Sequence, residues 1–366
     1  MKIAIIGGGA AGVFLALRLK EEHPAFRITI FEKNNALLKK LLVTGNGRCN
    51  YANIGPTLNK YHNDDFANRL LKEFTPQDII KTFDRLGIHP QRVGHLIYPI
   101  SNSAASVVSL LKNHLDRLDI EILLQQPLLD YFKDGERYVV VTDKGKYDGF
   151  NAIVFATGGS CYPQLGTDGS IFQILQKHHY EITPLSPSLS PIKVKENTKK
   201  ISGQRVKCLV SLLYKGEVIY QESGEVLFKN DGLSGIVILN MSQKINMLPH
   251  KGRVKIMLNL APNHHVSNHN EYLEYVTPKL AEYLINNRLD INRLVYTFKG
   301  FYSPHIAEVS HGGLSLEEVS DSLQSKKEKG IYFCGEILDV DGMCGGFNLM
   351  FAFASAEKVK RALSGK

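Results

Sequence analysis

The residues with the clearest chemical potential stand at the very start. Gly7-Gly8-Gly9-Ala10-Ala11-Gly12 follows the apolar run Lys2–Ile6 and leads into the helix-favouring segment Ala10–Lys20. A glycine turn between a strand and a helix gives a pyrophosphate access to backbone N–H groups and to the positive end of the helix. Gly7 permits the turn, Gly9 the close approach and Gly12 tight helix–sheet packing. Arg27–Phe31 then reads as a second strand ending at Glu32. An acid about 20 residues beyond the glycines accepts from adenosine ribose hydroxyls and disfavours a 2′-phosphate. Strand, glycines, helix, strand and acid in this order predict a dinucleotide site, with Ala10, Ala11 and Lys33 among its candidate residues.

Two later junctions repeat the passage from strand to glycine: Ala156-Thr157-Gly158-Gly159 and Cys334-Gly335-Glu336. Several strand ends aimed at one extended ligand suit FAD, which spans from adenine to isoalloxazine, and no second GxGxxG signals a separate NADPH domain. Thr44-Gly45-Asn46-Gly47-Arg48-Cys49-Asn50 is a compact polar loop. Its Arg48 can meet a pyrophosphate or an anionic substrate, and Thr44 and Asn50 can hydrogen-bond the flavin or its phosphates. The same loop equally suits a turn locked by asparagine side chains. Gly335-Glu336-Ile337-Leu338-Asp339-Val340-Asp341-Gly342-Met343-Cys344-Gly345-Gly346-Phe347-Asn348-Leu349 runs into an apolar helix whose start offers further N–H groups. Glu336 and Asp339 either bind ribityl hydroxyls or cap local structure.

These motifs together resemble the bacterial FAD-binding flavoproteins labelled aminoacetone-oxidase-like, a family that includes BaiN-type bile-acid-reductase relatives. The resemblance rests on Gly7–Gly12, Glu32, Thr44–Asn50, Ala156–Gly159, Gly232–Gly235 and Gly335–Leu349, and so spans nearly the whole chain. It implies a non-covalently FAD-binding α/β Rossmann-like domain, three-layered around a parallel sheet and interrupted by an inserted β-barrel-like domain with a small helical portion. It also implies FAD contacts around Gly7, Glu32, Lys40, Asn50, Gly335, Asp341 and Gly346–Leu349. Phe347 stands where the family usually has Tyr, and Phe228-Lys229-Asn230-Asp231-Gly232 is a loose version of the common FTHxG run.

Flavin chemistry needs a hydride donor, an acceptor and a proton-handling group. The expected reaction is hydride transfer through flavin N5, with NADH or NADPH as a transient reductant and a small organic acceptor. Amine or alcohol oxidation is one alternative. FAD-dependent RNA modification, or a non-enzymatic flavin-binding interaction module, is another. His311, in Ser310-His311-Gly312-Gly313, is a candidate acid–base residue because histidine titrates near working pH. His95 and Tyr98, in a presumptive flavin-side loop Arg92–Pro99, are further candidates, and each of the three has a purely structural alternative.

The elements that must position these residues begin with the βαβ unit above. Surface helices are predicted over Asp65–Leu71, Thr75–Leu86 with Thr75 as N-cap, and Ser103–Leu118. An antiparallel meander is predicted over Glu121–Leu124, Leu128–Lys133, Tyr138–Thr142 and Gly145–Asp148. Asn151–Phe155 reads as a strand of the buried parallel sheet, followed by a helix over Asp168–His178. Prolines at Pro184, Pro187 and Pro191 mark a linker to a separate β unit. Its predicted strands are Lys207–Tyr214, Glu217–Gln221 and Val254–Leu260, with helices over Ser234–Ile245 and Asn270–Asn286. The strand Gly330–Cys334 and the helix Phe347–Leu363 close the chain. The expected domains are a discontinuous FAD-binding domain, 1–187 and 305–366, and an inserted β-rich domain, 188–304, with its helical portion at about 265–295.

With 366 residues and 43% hydrophobic content the chain can bury two such cores, which excludes disorder and a disulfide scaffold. Cys49, Cys161, Cys208, Cys334 and Cys344 form no CxxC, so neither a redox dithiol nor a metal ribbon is signalled. The scattered cysteines and the absence of a signal-peptide pattern suit a cytoplasmic protein, and no segment reaches the roughly 18 apolar residues of a membrane span. The net charge of +8 suits an anionic ligand such as FAD, nucleic acid or an anionic membrane surface, and equally suits a charge that only keeps the chain in solution. RNA is the less favoured partner, because the short basic groups Lys39–Lys40, Lys193–Lys195, Lys199–Lys200, Arg205–Lys207 and Lys326–Lys329 lack interleaved aromatics in sequence and suit a solvated face better.

Overall fold

The computed structural model describes residues 1–266 and 268–365. Ser267, in the expected helical portion, and Lys366, the last residue of the expected FAD-binding segment, lie outside the described residues. The chain divides into two compact units, Met1–Leu185 with Ser310–Lys366, and Ser186–Val309. The first is an α/β Rossmann-like unit and the second carries a closed β-barrel.

The α/β unit is built on a five-stranded parallel sheet in the order Ile331–Phe333, Ala152–Phe155, Lys2–Ile6, Arg27–Glu32, Glu121–Leu124. The first strand sits in the middle, so the glycine turn after Ile6 lies between strands on either side. Alternating residues of this buried sheet serve two layers. Ile5 faces the helix Ala10–Glu22 through Gly12, whereas Phe31 and Phe155 face a three-stranded antiparallel sheet of Leu128–Asp134, Arg137–Thr142 and Gly145–Phe150. The Phe31 ring meets Phe150 at 5.9 Å and Tyr147 at 5.1 Å, and Tyr131 meets Phe155 at 5.3 Å. On the helical side Phe14, Phe83 and Phe353 form a cluster with centroids 4.8–6.1 Å apart.

One expectation is corrected here. Glu121–Leu124 does not join the meander but pairs in parallel with Arg27–Glu32 as the sheet edge. Its Ile-Leu-Leu run marked a strand, but its partner depends on the preceding helix, Ala104–Arg117, returning the chain to that edge. The other predicted helices appear with small boundary shifts. Thr75 caps Pro76–Arg85 in a reciprocal capping box with Asp78, and Ser103 caps Ala104–Arg117.

The barrel has six strands in the order Ile192–Val194, Gly232–Ser234, Glu217–Lys229, Arg205–Tyr214, Val254–Asn259, Leu294–Phe301, and the last pairs back to the first. Alternation along the first part of Arg205–Tyr214 sends Val206, Cys208, Val210 and Leu212 into the core and Arg205 and Lys207 outward. The helix Ile236–Asn246 contributes Val237, Ile238, Met241 and Ile245 to the same core. The sequence reading missed the closing strand Leu294–Phe301 and stopped Glu217–Lys229 eight residues early, at Gln221. The expected helix over Asn270–Asn286 is a 3₁₀ segment, His269–Glu274, followed by the α-helix Pro278–Asn286.

Candidate active site

The α/β unit gathers the motif residues from three distant parts of the chain. Gly7 has a left-handed φ of +107°, and a Cβ there would lie 2.5 Å from the Ala156 carbonyl oxygen. Gly12 is bound by the same geometry: its Cβ would lie 2.0 Å from the Gly7 carbonyl oxygen. Gly9 is different. A Cβ there would meet nothing within 4 Å, and the helix starting at Ala10 has no side-chain cap. That leaves an uncapped, electropositive helix start beside open space, the environment a pyrophosphate requires. At the neighbouring strand end the Thr157 hydroxyl is buried with no hydrogen-bond partner among the described residues. A buried hydroxyl normally finds a partner, so this atom fits a bound group. Glu32 is nearly buried and accepts from the Gly8 N–H at 2.8 Å and from the Asn34 N–H and side-chain amide at 2.8 and 2.7 Å. Oε1 takes both Asn34 bonds, and Oε2, with the Gly8 N–H alone, keeps capacity for a ribose hydroxyl.

The other expected cofactor residues divide into those that join segments and those that only shape a loop. Lys40 forms an ion pair with Glu336 at 2.7 Å, and Glu336 also accepts from the Ser310 N–H. Gly335 donates to Ser355 at 2.9 Å, and its Cβ would lie 2.9 Å from the Ala11 methyl. Gly158 lies against Thr167. By contrast Lys33 reaches outward to Asp168 at 2.6 Å. Thr44 bonds the Leu41 carbonyl, and Gly45 and Gly47 supply positive φ to the loop. The Arg48 guanidinium bonds the Gly45 carbonyl and lies over the Tyr98 ring at 4.7 Å. Cys49 is fully buried, and burial pushes its thiol up to about 12 despite a Thr44 contact, so it is an inert packed side chain. With its nitrogen turned to the Ile97 and Ala52 carbonyls and its oxygen to the Gly346 N–H, the Asn50 amide satisfies all three groups.

At the opposite end Gly345 and Gly346, both at positive φ, deliver the chain into Phe347–Leu363, another helix start without a side-chain cap. Here a Cβ on Gly346 would lie 3.0 Å from the Ala52 backbone. Asn348 clamps Gly342 through both its N–H and its carbonyl at 2.8 Å. The Phe347 ring meets Tyr61 edge-on, and the Tyr61 hydroxyl donates to the Phe347 carbonyl. Leu349 is half-buried in the first turn.

The titratable groups concentrate at one place. His311 Nδ1 lies 2.9 Å from Asp341 Oδ1, and Asp341 is completely buried. The His311 ring lies 4.3 Å from that of His62, whose Nε2 is 3.3 Å from Asp339 Oδ1. The backbone builds this array. The His62 N–H donates to the Asp341 carbonyl at 2.8 Å, and the Asn63 amide donates to the Asp339 carbonyl at 2.6 Å. Gly312, at φ +84°, lets the His311 segment pass 2.3 Å, measured from a would-be Cβ, from the Pro184 carbonyl. Burial alone would raise the Asp339 carboxyl. Contact with His62, Thr183 and His311 outweighs it, and the net shift is downward. The Asp341 contact engages His311 through Nδ1, the ring nitrogen on the carboxylate side.

Sequence reasoning singled out His311 and Asp341 separately and missed His62. Nothing in Tyr61-His62-Asn63 marks a site, because its partners come from residues 311–341. The other two acid–base candidates are not drawn in. His95 is exposed at the turn of the hairpin Pro90–Val93/Leu96–Pro99, and Tyr98 is buried with its hydroxyl 3.4 Å from Arg48.

Known proteins with these features can now be set beside the chain. The family described as HI0933-like protein Rossmann domain matches residues 1–361. A 3-dehydro-bile acid delta(4,6)-reductase of Clostridium scindens is 29% identical over 406 aligned positions, which cover 99% of this chain and 98% of the relative. A ribosomal RNA dihydrouridine synthase of Haemophilus influenzae is 27% identical over 397 positions, 96% of each chain. Among solved structures, the 3-ketosteroid delta1-dehydrogenase of Sterolibacterium denitrificans superposes with a TM-score of 0.53 at 10% identity, covering 98% of this chain and 99% of that one, a likeness of fold. Matched along nearly its whole length, the chain belongs to the HI0933-like protein Rossmann domain family, within the flavin-dependent oxidoreductase superfamily.

Proposed function

We propose that this protein is an FAD-dependent reductase that adds two hydrogens across an activated carbon–carbon double bond of an organic acceptor. The observation that carries this reading is the His62/Asp339 and His311/Asp341 array, a proton store held in the same unit as an open helix start at Gly9. The relatives' names support it, since reduction at delta(4,6) of a bile acid and synthesis of dihydrouridine both describe hydrogen added to a ring double bond. The FAD-binding domain is the split unit, and FAD is held without a covalent bond. Gly9 and the start of its helix would hold the pyrophosphate, Glu32 the adenosine ribose, and Thr157 and the Gly345–Gly346 helix start the flavin end. Bound there, FAD supplies the hydride carrier, refilled by a transient NADH or NADPH.

This chain's own residues handle the proton. Asp341 fixes His311 with Nδ1 protonated, so that Nε2 is the exchanging atom. His62 and Asp339 stand behind it as a second His–carboxylate pair, which keeps positive charge on the array balanced. The two carboxylates are buried, whereas both imidazoles keep partial exposure through which an acceptor can be met.

The test is an anaerobic absorbance titration of purified holo-protein with NADH and NADPH, followed by addition of a cyclic enone. The expected result is bleaching of bound flavin by one nicotinamide and its recovery with stoichiometric product. Flavin reduced by neither nicotinamide, or reduced only by an amine or alcohol donor, overturns the proposal.

A further inference from the structure

The positive charge is not shared evenly. Residues 186–309 carry 16 of the 44 Lys and Arg but only 10 of the 36 Asp and Glu, so this third of the chain holds six of the eight net charges. Within it, residues 193–207 contribute six cations, Lys193, Lys195, Lys199, Lys200, Arg205 and Lys207, against the single acid Glu196.

The barrel gathers this stretch at one end. The Thr198 hydroxyl donates to the Lys229 carbonyl at 2.8 Å, and Gly203 and Gln204 exchange backbone hydrogen bonds with Phe228. Arg205 pairs in register with Leu227, so Arg205 and Lys229 share the outer face, where Arg205 also meets Glu225 at 2.7 Å in an exposed ion pair that a phosphate can displace. The Glu196 carboxylate is drawn onto the Thr297 N–H. Tyr302, remote in sequence, completes the surface. Its half-buried ring lies 5.4 Å from the Lys193 ammonium and 5.3 Å from that of Lys229, and its hydroxyl bonds Asp231. The Tyr283 hydroxyl is tied to the Asn197 carbonyl alongside. The fold thus supplies the aromatics between cations that the linear sequence lacks.

We infer that this end of the barrel is an RNA-binding surface, with Lys193, Lys199, Lys200, Arg205, Lys207 and Lys229 on phosphates and Tyr302 offered to a base. A small carboxylate engages one or two cations, whereas six spread over a strand edge and a turn match a polyanion. A membrane is the poorer fit, since no large hydrophobic residue between 193 and 207 is exposed. This surface belongs to the barrel alone and does not depend on the reductase reading.

The experiment measures fluorescence anisotropy of a labelled uridine-rich single-stranded RNA with full-length holo-protein at 50 and 200 mM salt. About six phosphate contacts on a single strand predict that affinity falls about 300-fold over this range. Lys193→Glu with Lys229→Glu is expected to weaken binding at least tenfold and flatten the salt dependence, and Tyr302→Leu to weaken it about tenfold with the dependence retained. Flavin content and nicotinamide-driven enone reduction are followed in the same samples and should not change. RNA binding unaltered by the double variant, absence of RNA binding at 50 mM salt, or preference for phosphatidylglycerol vesicles or an acidic protein over RNA would each overturn the surface. RNA binding without flavin reduction would instead defeat the reductase reading and leave the surface standing.

Discussion

In the α/β unit, Lys360 and Glu357 are nearly buried and meet each other at 2.9 Å, with Glu22 on Lys360 and Arg18 on Glu357 at 3.3 Å. In the barrel unit the charges stay outside an apolar core, and Lys195, Lys199, Lys200 and Lys207 have no ion pair among the described residues. The contrast follows from how each unit closes. Segments 1–185 and 310–366 must find each other, and specific pairs such as Lys40–Glu336 and Lys360–Glu22 fix their register. The barrel is contiguous and closes through its own ladder, so its register needs no such pair, and Arg205–Glu225 lies on its exposed face. Cofactor chemistry and partner charge are thereby separable by mutation.

The largest expected effect compares two glycines with the same constraint. A Cβ on Gly12 or on Gly232 would lie 2.0 Å from a backbone carbonyl, of Gly7 or of Ile192. Gly12→Ala and Gly232→Ala should each cost about 3 kcal/mol. Chemical denaturation checks the cost. Gly12→Ala should empty the flavin site while amide protection of the barrel persists, and Gly232→Ala should do the reverse. Equal flavin loss in both would show that the units do not separate.

Chemistry should be confined to the α/β unit. His311→Asn is expected to lower turnover about 100-fold, within the range of a lost acid–base group, with flavin binding intact. His62→Asn should leave binding intact and move the pH profile of turnover instead, because it acts through His311. A His62 variant with an unchanged profile would reduce that residue to packing.

How much of this was legible depends on whether the physics is local. Gly7–Gly12 and Glu32 were readable because one βαβ unit contains turn, helix and acid within 26 residues of one another. Phe347–Leu363 was readable from glycines before an apolar run. His62 was not, since its meaning comes from Asp339 and His311. Tyr302 was not, since it joins Lys193 and Lys229 only when Leu294–Phe301 closes the barrel. Glu121–Leu124 had a local signal for a strand and none for its neighbour.

A third, smaller effect reads the buried carboxylate in the α/β unit. Asp339 is held below its ordinary value in the fold, so its contribution is present above the unfolded value of about 3.9 and is lost as pH falls through the lower folded one. Stability measured by denaturant between pH 6 and pH 2 should therefore fall less steeply in Asp339→Asn than in the native protein. An identical slope would place the charge balance of the array elsewhere.

The smallest expected effect tests whether local helix signals matter in a unit held by long-range pairs. Thr75 accepts from the Asp78 N–H, and Asp78 returns the bond to the Thr75 N–H at 3.0 Å. Thr75→Ala should remove about 1 kcal/mol, visible as a small shift in the denaturation midpoint at an unchanged slope. Because Pro76–Arg85 packs Phe83 against Phe14 and Phe353, the loss should leave flavin content untouched. A loss above about 3 kcal/mol would mean that this cap also fixes how the 1–185 and 310–366 segments meet, since Phe353 belongs to the second of them.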